Sequence, residues 1–293
     1  MELERKFRIH TYEADTEGRM SPPSLFNYLQ DIAAAHADAL NWGKEELMKK
    51  KQFWVLSRMA AEMESIPGGG SEIVIRTWPR GVDGIFAMRD FDIRDSSGKL
   101  IGGATSAWLI LDAVTRRPVR PGSILSETGD IFPERQSLGR NPVKLPAPGE
   151  GRYNTLPFPV RYSDLDVNLH VNNVKYLQWA LDAYPLDFRM NNEIRGVEAN
   201  YMSESLPGDE VSISISEEED AGGNHSREGI SELGHSEEGY SGAGHSGKGD
   251  SAKGDSGENE SRNFLHSVKR SGDNRELCRI RVRWVERKTD KVY

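Results

Sequence analysis

The sequence predicts an α+β protein built from two tandem units, each laying one long helix against a meander of antiparallel strands. Three observations lead there. An apolar pattern of helical period opens each half, strand-like runs follow it, and the second half repeats the order of the first down to short shared strings. In chain order, the first helix is expected over Ser24 to Leu40. Ser21-Pro22-Pro23 gives it a start signal, and Leu25, Leu29, Ile32, His36 and Leu40 recur at helical spacing. Its other face, Ala33, Ala34, Ala35, Ala37 and Ala39, is not polar, so the helix is expected to be covered on most sides. Strands are expected over Phe53 to Ala61, Glu72 to Trp78, Ile85 to Arg94 and Lys99 to Leu111, the last two joined by the turn Asp95-Ser96-Ser97-Gly98. These elements make a first unit over residues 1–117.

Residues 118–159 hold eight of the fourteen prolines and no sustained periodicity, which reads as a linker crossing the surface. The second unit, 160–293, restates the first. Tyr28-Leu29-Gln30 is matched by Tyr176-Leu177-Gln178 in a helix expected from Asn173 to Ala183, with Val174, Leu177, Leu181 and Tyr184 helically spaced and Pro185 ending it. Gly70-Ser71-Glu72-Ile73 is echoed by Gly208-Asp209-Glu210-Val211, and Leu100 to Trp108 by Leu277 to Trp284. Where the first copy turns through Pro79 to Gly84, the second carries a segment about 38 residues longer, much of it the repeat GHSEE, GYSGA, GHSGK, GDSAK, GDSGE. With almost no large apolar side chain, residues 217–262 cannot offset an ordering cost of roughly 1–2 kcal/mol per residue, so a disordered acidic insert is expected there. His225, His235 and His245 recur in it every ten residues; drift of the repeat accounts for that spacing more simply than metal binding.

The insert also explains the charge. It holds twelve acidic and four basic side chains, leaving 34 of each elsewhere, so the whole net charge of −8 resides in it. An electroneutral remainder argues against nucleic acid as a partner. No apolar run approaches the roughly 20 residues that span a bilayer, and Met1 to Glu13 resembles neither a signal nor a transit peptide, so a cytoplasmic protein is expected. The single cysteine, Cys278, rules out an intramolecular disulfide, and no Cys/His group has metal-site spacing. No metal or cofactor is expected.

The stretch richest in chemistry is Asp164-Leu165-Asp166-Val167-Asn168-Leu169-His170-Val171. Strict alternation in an extended chain would put Asp164, Asp166, Asn168 and His170 on one side, next to the N-terminus of the following helix with Asn172 or Asn173 as cap. Free amides and the positive dipole end suit a developing oxyanion there. A further strand, Val197 to Ser205, would bring Glu204 to the cluster. A histidine, carboxylates, an amide and helix-end donors are the parts of an acyl-transfer or hydrolysis site. Aligning the two helices by 148 residues sets Gly18, Met20 and Pro22 opposite Asp166, Asn168 and His170, so the first copy is expected to lack the polar row.

RYSDLDVNLHVNNVKYLQWALD, Arg161 to Asp182, closely resembles the signature of the acyl-acyl carrier protein (acyl-ACP) thioesterases. The first half is similar to their N-terminal region at Met20 to Gln30, Trp54 to Met59, Thr77-Trp78, Arg89-Asp90-Phe91 and Trp108. The resemblance implies a tandem, or double, hotdog fold and hydrolysis of the thioester that joins a fatty acyl chain to the phosphopantetheine arm of acyl carrier protein. It carries the catalytic set onto Asp166, Asn168, His170 and Glu204, and gives the first unit the acyl chain. Plant members commonly have cysteine after that glutamate. Ser205 stands here, so a cysteine nucleophile at that position is ruled out. Carrier docking would use Arg116, Arg117 and Arg120, or Arg161 and Lys175. A hotdog acyl-coenzyme A thioesterase and a non-catalytic acyl-carrier-binding module are the alternatives, and a homodimer stays open.

Overall fold

A computed structural model describes residues 2–122, 133–149, 153–218 and 261–287. The repeat region and its three histidines lie outside the described residues. In order, the elements are β1 (Leu3–Arg8), α1 (Pro22–Ala39), α2 (Lys44–Lys49), β2 (Gln52–Met63), β3 (Glu72–Asp83), β4 (Phe86–Asp95), β5 (Leu100–Asp112) and β6 (Pro118–Val119). The second half gives β7 (Tyr153–Asn154), β8 (Phe158–Pro159), α3 (Asn173–Asp182), α4 (Leu186–Asn191), β9 (Asn192–Tyr201), β10 (Glu210–Glu217), β11 (Ser261–Arg270) and β12 (Arg275–Glu286).

Among the described residues the strands join in one antiparallel sheet ordered β1-β3-β4-β5-β2-β9-β12-β11-β10-β7, with β6 on β5 and β8 on β10. The order on one side of the β2–β9 seam mirrors that on the other, as a duplication requires. The seam pairs Arg58 with Asn200 through to Glu62 with Gly196. Leu25, Phe26, Leu29 and Ile32 of α1 are buried together with the strand residues Ile73, Ile75, Phe91 and Ile93, and Val174, Leu177 and Leu181 of α3 with Val197, Ala199, Ile213 and Ile280. Both sets belong to one buried cluster, in which each large side chain contributes roughly 1.5–3 kcal/mol.

Both helices start by the chemistry their sequences announce. The Ser21 hydroxyl accepts from Ser24 N–H ahead of α1, and the Asn172 side chain accepts from Val174 N–H ahead of α3. The alanine face of α1 is a correction: Ala33 is buried, but Ala34 and Ala39 are exposed. Alanine holds a helix by its backbone preference and carries little apolar surface that needs cover. β1, α2 and α4 have no counterpart in the elements expected from sequence. β1 is an edge strand on β3, with only Leu3 and Phe7 packed against the core, so it shows little alternation.

The proline-rich stretch is a linker only in part: its ends pair into the sheet as β6, β7 and β8, while residues 135–145 lie across the outer face as a strap. Ser137 N–H donates to Asp90 Oδ2 (2.9 Å), Leu145 N–H to Asn200 Oδ1 (2.8 Å), and Arg140 pairs with Glu62 and Glu198 on either side of the seam. Beneath it lies a cavity of about 530 Å³ lined by Glu62, Glu198, Arg140, Arg281 and Arg283 together with Ala61, Val143 and Val197. Among the described residues, no helix is long and apolar enough to cross a membrane.

Candidate active site

The segment from Asp164 to Val171 is not extended. Residues Tyr162–Asp164 form a 3-10 turn, Leu165 and Val171 bridge each other, and the chain between them doubles back through Leu169 at φ 61°. Asp166 makes this turn: its Oδ1 accepts from the amides of Asn168 (2.8 Å) and His170 (3.1 Å), while its own N–H donates to His170 O (2.7 Å). A short carboxylate that captures amides two and four residues on outcompetes the extended ladder. Three of the four expected polar residues therefore meet because the loop closes, with Asn168 Nδ2 3.3 Å from Asp166 Oδ2. Asp164 leaves the group. It is buried, accepts from Arg161 N–H, and faces Lys175 Nζ at 3.8 Å.

Glu204, just past the end of β9, does join the cluster. Its Oε1 lies 3.5 Å from His170 Nδ1, with both side chains partly open to solvent. The pair is held at the backbone, because Val171 N–H donates to Ser205 O (3.1 Å), stitching the turn to the segment that carries Glu204. Ser205 is fully buried and its hydroxyl donates to Asp209 Oδ2, so the residue after the glutamate serves the turn. The expected oxyanion donors are partly engaged: Asn172 takes the amides of Val174 and Lys175 by its side chain and carbonyl, leaving the Asn173 amide as the helix-start donor that neither group occupies. Cys278 is wholly buried in β12, and burial pushes its thiol well above the usual range. Next to it the hydroxyls of Tyr176 and Tyr201 are buried, and burial raises both.

The contact that sequence reasoning missed is made by Arg116, from the first unit. Its Nη1 lies 3.9 Å from the same Glu204 Oε1, and its guanidinium lies over the Phe53 ring at 5.2 Å. The basic run Arg116-Arg117 marks it, but nothing local to it names a partner in the other half of the chain.

The first unit has the same loop, which corrects the 148-residue alignment. Asp15 Oδ1 accepts from the amides of Glu17 (2.9 Å) and Arg19 (3.0 Å), and Asp15 N–H donates to Arg19 O (2.7 Å). Ala14 bridges Met20, Gly18 stands at φ 70°, and Met20 N–H donates to Pro67 O (2.9 Å). Hydrogen bond for hydrogen bond, Asp15 matches Asp166, Glu17 matches Asn168, Arg19 matches His170, and Ile66 matches Glu204. The first copy thus keeps a polar loop and lacks the histidine and glutamate. A small apolar crevice, about 20 Å³, sits by this loop among Met20, Leu25, Phe26, Met63 and Ile66. That is little more than one water's room, so an acyl chain would have to displace side chains to use the first unit.

The comparisons with known proteins accord with this duplicated arrangement. The family model described as the acyl-ACP thioesterase N-terminal domain matches residues 1–127, and the one described as the C-terminal domain matches 149–286. The chain is 27% identical over 302 residues to the chloroplastic oleoyl-acyl carrier protein thioesterase 1 of Arabidopsis thaliana, covering 97% of this chain and 76% of that one. It is 30% identical over 212 residues to the chloroplastic palmitoyl-acyl carrier protein thioesterase of Gossypium hirsutum, covering 68% and 51%. A crystal structure of an acyl-ACP thioesterase from Bacteroides thetaiotaomicron aligns with TM-score 0.73 at 26% identity over 97% of both chains. The 12:0-ACP thioesterase of Umbellularia californica shares the fold, with TM-score 0.70 at 21% identity over 98% of this chain and 94% of that one.

Proposed function

The chain belongs to the acyl-ACP thioesterase family, a thioester hydrolase of double hotdog fold, and from that premise we propose that it releases free fatty acid from fatty acyl-acyl carrier protein at the Glu204–His170 pair. The observation that carries this reading is Glu204 Oε1 at 3.5 Å from His170 Nδ1, brought together from two separate segments. Glu204 takes a proton from water as it attacks the thioester carbonyl. The Asn173 amide, with the Asn168 side chain, steadies the oxyanion, and Glu204 hands the proton on to His170, which gives it to the departing thiolate of the phosphopantetheine arm. Asp166 holds the turn that presents Asn168 and His170, since the backbone amides of both donate to one of its carboxylate oxygens. No step as written calls on a metal or cofactor. The acyl chain is assigned to the first unit, where the side chains around the small crevice beside Met20 and Phe26 would move aside to admit it. A cytoplasmic setting belongs to the same proposal, although the plant relatives are named as chloroplastic.

The test is a panel of acyl-carrier thioesters offered to the purified protein, with free fatty acid measured by chain length. Glu204→Gln should lower turnover by about 10²–10⁴ at unchanged fold, the usual worth of a general base. Turnover by that variant equal to the native protein's would overturn the assignment.

A further inference from the structure

Arg116 reaches the site from an unusual place. It ends the turn after β5, where Asp112 Oδ1 accepts from the amides of Val114 (3.1 Å) and Thr115 (2.7 Å) and Arg116 N–H donates to Asp112 O (2.9 Å). The backbone of Arg116 is left-handed, φ 57°, and β6 pairs back onto β5 immediately after it, through Leu111 with Pro118 and Ile110 with Val119. The turn is thus closed on both sides, and its side chain is laid along Phe53 toward the second unit.

Two neighbours make their closest approach to Glu204 at the same oxygen: His170 Nδ1 lies 3.5 Å and Arg116 Nη1 3.9 Å from Oε1. A half-exposed glutamate without such a contact samples many rotamers; one fixed at Oε1 presents Oε2 in a set direction. The same exchange occurs in reverse at the other end of the sheet. Arg287, just past the end of β12, reaches Glu17 Oε2 (3.4 Å) and Asp15 Oδ2 (3.9 Å) in the first unit's loop. Each unit therefore sends an arginine from the end of its long strand to the acidic groups of the other unit's loop region. Only in the second unit does that arginine meet a glutamate beside a histidine.

We propose that Arg116 is a positioning residue for thioester hydrolysis, supplied by the first unit, which fixes Glu204 by Oε1 so that Oε2 receives the proton of the attacking water. This rests on the Glu204–His170 reading above. Carrier docking, the other use of an exposed arginine at a site whose partner is acidic, makes different predictions. The experiment compares Arg116→Gln and Arg116→Lys on two substrates, an acyl-carrier thioester and the same acyl group on N-acetylcysteamine, which has neither carrier nor phosphate.

Arg116→Gln should lower kcat about 10- to 100-fold on both substrates, with KM changed less than about threefold, the scale of loss for a misplaced catalytic group. Arg116→Lys should restore a large part of it, since a cation within reach of Oε1 remains. In a Glu204→Gln background, Arg116→Gln should have no further effect. A rise in KM confined to the carrier substrate with kcat intact would make Arg116 a docking residue and overturn the proposal, as would an undiminished effect in the Glu204→Gln background. If Glu204→Gln alone left kcat intact, the reading of the site would have failed first, and the two failures are thereby told apart.

Discussion

The two loops that lead into α1 and α3 close through the same hydrogen bonds and hold out different side chains. Asp15 and Asp166 do the same work at the backbone, whereas Arg19 stands for His170, Glu17 for Asn168 and Ile66 for Glu204. An aspartate present in both copies is explained by the turn it makes; a histidine and a glutamate present in one copy are not. The comparison separates the scaffold of the site from its chemistry, which neither copy would do alone. Arg19, which stands where His170 does, pairs with Glu193, which also pairs with Arg195, in an ion cluster beside the crevice.

The largest expected effect lies on that contrast. His170→Ala should lower kcat by about 10²–10⁴, while Arg19→Ala, its counterpart, should leave kcat within about threefold. Comparable losses in single-turnover assays of the two variants would show that the copies share the chemistry. Next comes Asp166. If it serves the turn, Asp166→Asn, which keeps an acceptor oxygen, should stay within about tenfold of native turnover, and Asp166→Ala should lose far more. Equal losses would instead make its charge part of the reaction. In the first unit, Asp15→Ala should cost about 1–3 kcal/mol in urea unfolding, for two amides left without their acceptor, with little change in kcat.

Smaller is the response to acid. Burial pulls His36 in the first unit and His266 in the second from 6.5 down to about 4, with Arg89 next to His36 adding to the fall. The unfolded chain takes up protons at these positions that the folded chain refuses, so their contribution is full above pH 6.5 and is lost as pH drops toward 4. Urea titrations at pH 7 and pH 5 should differ by roughly 2 kcal/mol for each histidine, and His266→Gln should remove about half of that difference. An unchanged difference in the variant would place the acid-sensitive groups elsewhere. Smallest is Cys278→Ala: kcat within about twofold, because a thiol held neutral by burial offers no nucleophile.

Much of this was legible in the sequence, and the failures have physical causes. The duplication, both long helices and strands β2 to β5 could be read because the helices repeat apolar residues at helical spacing and the strand runs are bounded by turn residues; β4 and β5 are buried along most of their length and do not alternate in exposure. Asp166, Asn168, His170 and Glu204 stand out in the sequence as one group, but the alternation in residue type suggests an extended strand, and a turn closed by Asp166 produces the same sequence. The alignment slipped because Tyr28-Leu29-Gln30 and Tyr176-Leu177-Gln178 agree three residues away from the register of the caps, Ser21 and Asn172. Three residues is close to one helical turn, so the apolar stripe matches almost as well in either register. Hydrogen bonds at the loop fix the register; composition cannot. Arg116 was suspected only as a docking charge, since its partner lies in the other half of the chain.

The seam between β2 and β9 has a consequence for any attempt to take the protein apart. A fragment holding one half would present the bare backbone of β2 or β9, a row of amides and carbonyls with no neighbour. Such a row is answered by another of its kind, so a lone C-terminal half would pair with itself, and the twin sites of that dimer would both be without the arginine that only the absent half provides.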